Sequence, residues 1–360
     1  MEILNIDRWP PTNDRSLIGY SSADRLMVQK VQEEINDGES IFIINDRFGY
    51  QSINLANKSP HTLYHLASQH DAIIRNAENH KVDQSLQPSP ILTHIHKTFD
   101  YILIRIPKSN DLLELLLYLA NIYSNENTKV ILGFMTKYFN PTILDICSKY
   151  FENIEQSKAW KKARVITASH SIRLANKTLD HYKNNLEYNG FTYQQYYGVF
   201  SSQHIDFATS FLLENLPALN DIEKAMDLAC GNGIIGKYIQ EKYHPKQLVL
   251  VDDSLLATAS ARLNIDHENA IIEARYNLES FEDYSFDLII TNPPFHQEHD
   301  NIIDITLNLF KDSSRILIKG GVLLIVANKH LNYKTHLIEW FTSIETIKEN
   351  NQFVIYQAVK

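Results

Sequence analysis

Ala225-Met226-Asp227-Leu228-Ala229-Cys230-Gly231-Asn232-Gly233 is followed by Val249-Leu250-Val251-Asp252-Asp253, and then by Thr291-Asn292-Pro293-Pro294-Phe295-His296. Each piece contains or follows an apolar run of strand length, so its polar end falls where a parallel strand would finish. In open α/β sheets, ligands bind outside that carboxyl edge. The three pieces therefore predict a doubly wound α/β fold with its working residues along one edge of a parallel sheet.

Working outward, the spacing predicts strands at Ala225–Ala229, Leu248–Val251, Ile271–Ala274, Phe286–Ile290 and Val322–Ala327. Helices are expected over Ile234–Gln240, Leu255–Asn264, Ile302–Ile316 and Thr335–Phe341. Ser343–Lys348 and Phe353–Val359 read as a closing antiparallel hairpin at the sheet edge. The first half follows the same plan. It shows a helix over Ala23–Ile35 and strands at Ile41–Ile44, Tyr101–Ile106 and Val130–Gly133. A helix capped by Asp111 runs through Leu119, and Gln84 to His94 reads as a loop.

The two halves are in register with each other. Sixty residues separate the strand starts at Ile41 and Tyr101, and 61 separate those at Ala225 and Phe286. Each second strand ends in a proline-containing break. We read two copies of one Rossmann-like fold, joined in the polar, tyrosine-rich stretch from Leu174 to Tyr197. The boundary is set at 185/186. The first copy lacks both Gly-x-Gly and Asn-Pro-Pro-Phe, so as a duplicate it has lost any cofactor chemistry.

A length of 360 residues suits two domains. Two cysteines, Cys147 and Cys230, exclude a disulfide framework. No basic-then-apolar leader and no apolar run near ~20 residues is present, so a cytoplasmic protein without a membrane span is expected. The net charge of −9 argues against a protein that merely coats nucleic acid. Lys+Arg and Asp+Glu balance at 21 each in residues 1–190, against 13 and 22 in 191–360. A surface contacting RNA is therefore expected on the first half. Lys161, Lys162 and Arg164 could meet phosphates there, or form a solvated charge run.

Gly231-Asn232-Gly233-Ile234-Ile235-Gly236 matches the G-x-G-x-x-G pattern between a strand and a helix. Its glycines let the backbone approach a ligand closely. A dinucleotide oxidoreductase shows the same glycines with an acid about 20 residues on. Asp252 lies 21 residues after Gly231, so this spacing leaves both classes open. Asp227 suits the α-amino and sulfonium end of S-adenosylmethionine and would sit badly beside a pyrophosphate, where anion repels anion. Its alternative is a helix or turn cap. Asp252 suits the two ribose hydroxyls and Ser254 a helix N-cap, with Asp253 undecided between the two roles.

Asn292-Pro293-Pro294-Phe295 adds a pocket for a planar amine. The Asn292 side-chain carbonyl and the Pro293 main-chain carbonyl can each accept an N–H from an exocyclic amino group. That pairing positions a poorly nucleophilic nitrogen in line for transfer. The two prolines stiffen the loop, and Phe295 can stack on a flipped base. His296 is either a second stacking group or a loop residue. The composite points to an S-adenosylmethionine-dependent amino methyltransferase.

The chain resembles the two-domain ribosomal RNA guanine-N2 methyltransferases of bacteria over nearly its whole length. In the first half the resemblance rests on Asn45-Asp46-x-Phe48-Gly49, Ile106-Pro107-Lys108 and Ala159-Trp160-Lys161-Lys162-Ala163-Arg164. In the second it rests on Val199-Phe200-Ser201, Ile205-Asp206, the glycine turn and Asn292 to Gln297. Val326-Ala327-Asn328-Lys329-His330-Leu331 and the final Ala358-Val359-Lys360 favour members acting on 23S, large-subunit RNA over those acting on 16S RNA. The resemblance implies a degenerate methyltransferase domain over 1–185 for RNA recognition and a cofactor-binding domain over 186–360. It also implies cofactor contacts at Phe200, Asp206 and Asn277, a monomer, and no metal. His204 and Ala208 stand where relatives usually have glycine. Glutamine methylation of a protein is the remaining amide chemistry, although such enzymes usually carry Tyr in place of Phe295 and lack a second half.

Overall fold

The computed structural model describes residues 4–9, 11, 17–82, 86–174, 177–293 and 302–360, with side chains from 305 onward in the last segment. Phe295 and His296 lie outside the described residues. The chain divides into two compact units, Met1–Tyr182 and Lys183–Lys360.

In the first unit α1 (Ser22–Glu34), β1 (Ile41–Ile44), α2 (Tyr50–Asn54), β2 (His61–Tyr64) and α3 (Ala67–Asn79) lead to β3 (Ser89–Pro90). There follow β4 (Phe99–Arg105), α4 (Asn110–Ile122), β5 (Ser124–Met135), α5 (Thr142–Ser148), β6 (Phe151–Gln156) and β7 (Ala163–Ser171). The sheet order is β3-β2-β1-β4-β5-β7-β6, parallel except for β7. β1 is buried throughout, as a continuous Ile-Phe-Ile-Ile run must be in a sheet covered on both faces.

The second unit opens with a ribbon, β8 (Lys183–Tyr188) paired antiparallel with β9 (Phe191–Tyr196). Then come α6 (Phe207–Glu214), β10 (Lys224–Leu228), α7 (Ile234–Tyr243), β11 (Gln247–Asp252), α8 (Leu255–Asn264) and β12 (Ala270–Ala274). β13 (Phe286–Thr291), α9 (Ile302–Ile316), β14 (Leu317–Asn328), α10 (Lys334–Leu337), β15 (Ser343–Glu349) and β16 (Phe353–Val359) complete it. The order β12-β11-β10-β13-β14-β16-β15 repeats the first sheet strand for strand. Side chains alternate between the two faces, as a strand period of two demands. Ala225, Leu248, Leu250 and Leu288 join one core, and Met226, Val249, Phe286 and Phe310 join the other.

Several expectations shift at their edges. The boundary at 185/186 falls inside β8. The tyrosine-rich joining stretch is largely the β8–β9 ribbon, which is tied to α8. The Tyr196 amide donates to Ser260 Oγ (2.9 Å), and the Gln194 amide to Asn264 Oδ1 (2.9 Å). Ser109, not Asp111, caps α4, its hydroxyl accepting from the Leu112 amide, while Asp111 sits in the first turn. The stretch read as a loop holds the two residues of β3. Helix α10 stops at Leu337, short of the expected Phe341.

The two β–α turns after the first strands match in detail. Five residues follow β1 (Asn45 to Gly49), and five follow β10 (Ala229 to Gly233). The first of each is left-handed without being glycine, Asn45 at φ 65° and Ala229 at φ 61°. The last is a left-handed glycine at the helix N-cap, Gly49 at φ 91° and Gly233 at φ 84°. In both, an aspartate accepts from the third amide of the helix: Asp46 from Ser52 (2.8 Å) and Asp227 from Gly236 (2.7 Å). Matching strand ends and turns position by position sets Ile43 against Asp227, Arg47 against Gly231, Tyr64 against Asp252 and Arg105 against Asn292. The first unit keeps the strand order and both ends of the turn, loses the left-handed φ at Arg47, and has replaced each of these four groups, so its fold is a degenerate copy.

Candidate active site

The site lies at the carboxyl edge of the second sheet, where β10 and β13 adjoin and the strand order reverses. Register places the strand ends level: Leu228 opposite both Val251 and Thr291, and Asp252 opposite Ala274. The Cys230 amide donates to the Val251 carbonyl (3.0 Å), carrying β10 straight into the glycine turn. Gly231 has φ 54°, and a Cβ there would meet nothing within 4 Å, so this face of the turn is clear for a ligand. A Cβ on Gly233 would press on Ala261 at 3.1 Å, so glycine is required there for packing α7 on α8.

Asp227 is fully buried beneath this turn. Its Oδ2 accepts from the Gly236 amide, whereas Oδ1 has no partner among the described residues. Burial is the main cause that pushes its carboxyl up to about 8. The Asp252 charge adds to the rise and the Gly236 amide opposes it. One oxygen of Asp227 thus serves as a helix cap, and the other is left as an acceptor without a partner among the described residues.

Asp252, half-buried at the end of β11, accepts the Gly231 amide on Oδ2 (2.9 Å) and the Ser254 amide on Oδ1 (2.8 Å). Each oxygen keeps a second lone pair, so two vicinal hydroxyls can still be bound. Burial raises its carboxyl to about 6 against those two amides. Ser254 caps α8, its Oγ accepting from the Ala257 amide (3.2 Å). Asn277 lies in the loop beyond β12, where its Oδ1 accepts from the Glu279 amide (3.3 Å).

Asn292 follows β13 directly, with Pro293 buried beside it. Its Nδ2 donates to Asp206 Oδ2 (3.0 Å) and to Thr209 Oγ1 (2.9 Å). A carboxylate can only accept, so the amide nitrogen must be the atom facing Asp206. Oδ1 is thereby turned the other way, buried and without a partner among the described residues. The buried Thr291 Oγ1 beside it is likewise unpartnered. Asp206 caps α6, its Oδ2 also accepting the Ala208 (3.0 Å) and Thr209 (3.1 Å) amides.

Two groups are absent from the sequence reading. Gln195, fully buried on β9, accepts from Asn232 Nδ2 through Oε1 (2.9 Å). Its Nε2 donates toward the carbonyls of Val199 (3.4 Å), Phe200 (3.3 Å) and Ser201 (3.3 Å). It thereby ties the glycine turn to the loop that leads into α6, although Phe200's own side chain is 63% exposed. Thr209 is the other. Neither carries a motif signal, because each acts by reaching across the chain.

In the first unit, Lys161 and Lys162 form the two-residue tip between β6 and β7, with left-handed φ of 46° and 63°. Trp160 and Ala163 exchange both backbone hydrogen bonds across it. The Thr136 amide donates to the Lys162 carbonyl (2.8 Å) and brings Lys137 and Tyr138 alongside. Lys161 lies 4.8 Å from the Trp160 ring, and Lys137 and Lys108 lie 4.6 and 5.7 Å from that of Tyr138. Arg164 is instead the second residue of β7 and donates to Gln156 Oε1 (2.9 Å).

A doubly wound sheet of this order, with a glycine turn, an acid at the end of each of two neighbouring strands and an amide just after a third, defines an S-adenosylmethionine-dependent methyltransferase. Residues 190–357 match the methyltransferase small domain, and residues 1–172 the RLMG N-terminal domain. The two matches together span nearly the whole chain, one family model to each half. The chain is 29% identical to a Ribosomal RNA large subunit methyltransferase G of Psychromonas ingrahamii, across 100% of this chain and 97% of that one. A T. thermophilus 16S rRNA N2 methyltransferase, solved with AdoMet and guanosine, shares the fold at a TM-score of 0.76 and 18% identity. That match covers 95% of this chain and 93% of its own. Among the described residues no helix is long and apolar enough to cross a membrane.

Proposed function

We propose that this chain transfers a methyl group from S-adenosylmethionine to the exocyclic N2 of a guanine in 23S ribosomal RNA. The observation that carries this reading is the Asn292 carboxamide, whose nitrogen is engaged and whose buried Oδ1 has no partner among the described residues.

The cofactor, when bound, supplies the electrophilic methyl group. Gly231, Asn232 and Gly233 line its approach, and Asp252 takes the ribose hydroxyls with its remaining lone pairs. Asp227 acts from below, holding the amino end of α7 through one oxygen and giving up its proton as the cationic end of the ligand arrives. Phe200 and Asn277 complete the cofactor side, while Asp206 faces Asn292 and the α6 amides. Asn292 Oδ1 and the Pro293 carbonyl accept the two N–H groups of the guanine amine, aligning its nitrogen and favouring the charge it gains on transfer. Phe295 stacks on the base. The proton leaves to solvent after transfer, so no strong base and no metal are needed.

RNA is held by the first unit. Lys161, Lys162 and Arg164 contact phosphate, joined by Lys108 and Lys137 around Trp160 and Tyr138. Support comes from the turn itself, since two lysines in left-handed geometry are a costly choice where Asn-Gly is preferred. The enzyme acts in the cytoplasm as a monomer.

The test is single-turnover transfer from tritiated cofactor to separate 23S and 16S RNA pools. Wild type should label 23S RNA, and Asn292→Ala should slow transfer about 10²–10³-fold while RNA binding holds. Labelling of 16S RNA alone, or transfer by Asn292→Ala within about threefold of wild type, would overturn the reading.

A further inference from the structure

We propose that Asp206 and Thr209 are positioning residues that fix the rotamer and flip state of Asn292, so that its carbonyl rather than its amino group faces the substrate amine. This rests on the reading of Asn292 as the acceptor for that amine. A carboxamide is nearly symmetric in shape, so packing alone does not decide which end points inward. Flipped, Asn292 would present two N–H donors to the substrate's own N–H groups and could not bind them.

The structure supplies the asymmetry twice. Asp206 Oδ2 can only accept, and it meets Nδ2 at 3.0 Å. Thr209 Oγ1 accepts at 2.9 Å, from a side chain buried one turn into α6. Both Nδ2 hydrogens are thereby used. Asp206 is itself immobilised, because Oδ2 also receives the Ala208 and Thr209 amides as the helix N-cap. The amino end of α6 thus holds the orienting pair, and the α6 cap and the Asn292 flip state depend on one oxygen atom.

Two pairs of variants separate this role from folding. Thr209→Val keeps the shape and removes the acceptor, while Thr209→Ser keeps the hydroxyl. Asp206→Ser keeps a capping oxygen one bond too short to hold Asn292, while Asp206→Asn keeps an oxygen in place. In single-turnover transfer at saturating RNA and cofactor, Thr209→Val and Asp206→Ser should each slow the reaction about tenfold or more. Thr209→Ser and Asp206→Asn should stay within about threefold. Cofactor affinity by calorimetry should be unchanged in all four. Wild-type rates in Thr209→Val and Asp206→Ser, alongside a slow Asn292→Ala, would overturn the positioning role while leaving the Asn292 reading intact. A loss seen only as weaker cofactor binding would overturn it too, making Asp206 a cofactor contact. A fast Asn292→Ala would remove the reading beneath it. Should Asp206→Ser fail to fold, the Thr209 pair decides alone.

Discussion

Replacing Asp227 with asparagine should stabilise the cofactor-free second unit, although it removes an acid that can ionise on the cofactor side of the site. The carboxyl is fully buried and raised to about 8 from a value near 3.8. Across pH 4 to 8 the folded chain therefore keeps a proton that the unfolded chain has lost. The sign follows: stability falls as pH rises through that window, and the whole penalty is present above pH 8. At about 1.4 kcal/mol per unit, the cost at pH 7 is of order 4 kcal/mol. Asparagine escapes it and keeps an oxygen for the Gly236 amide, but leaves buried N–H donors unpaired at a cost of about 1–3 kcal/mol. The net gain is about 1–3 kcal/mol at pH 7 and larger at pH 8, and it reverses to a net loss near pH 4, where the buried carboxyl costs almost nothing. Urea unfolding at pH 5, 7 and 8.5, with hydrogen exchange of the β10 and α7 amides, would read it. Wild type equal to or more stable than Asp227→Asn at every pH would show that the folded protein carries the ionised group without penalty.

Asp252→Ala should weaken S-adenosylmethionine about 10–150-fold by calorimetry, through lost charge-assisted hydrogen bonds; unchanged affinity would refute the ribose assignment. Because burial holds both Asp227 and Asp252 above the ordinary carboxylate range, a cationic ligand should displace protons. Binding between pH 6 and 8 should tighten with pH and release protons, read from heats in buffers of different ionisation enthalpy; zero release would count against the site's electrostatics. Ala229→Gly should be neutral or stabilising by up to about 1 kcal/mol, since relief of left-handed strain offsets the added chain entropy; a loss of the usual size for Ala→Gly would contradict the φ of 61°. Lys161→Asn with Lys162→Gly should stiffen the β6–β7 tip yet lower RNA affinity and flatten its salt dependence by about two phosphate contacts. An unaltered salt slope would place the RNA elsewhere.

Much of this was legible where chemistry and periodicity coincide. The strand–turn–helix run through Asp227 and Gly233 declares both its fold and its edge, because buried parallel strands are continuous apolar runs and the last residue of the turn, Gly233, has neither the φ nor the room for a Cβ. Ser254 and helix α8 were read to the residue, since a cap and an apolar face agree there. Edges failed where signals were weak. His61–Tyr64 is four residues with a histidine, and Phe151–Gln156 is mostly polar because it lies at a sheet edge. The roles of Gln195 and Thr209 were invisible for another reason: their partners lie 37 and 83 residues away. Asp206 was found by resemblance, but its hold on Asn292 depends on tertiary placement that spacing does not encode.

The matched turns of the two units divide labour between stability and chemistry. Ile43 stands where the second unit buries Asp227, so the first unit is spared the cost of that buried acid in its central strand. Its own capping acid, Asp46, is pushed up only to about 6. Duplication thus left one copy free to relax toward an apolar core, while the other retains an ionisable centre that makes it the more alkali-sensitive half. Returning chemistry to the first unit would take more than carving back a glycine at Arg47: Ile43, Tyr64 and Arg105 would have to change together, and the restored acid would return the folding cost its loss removed.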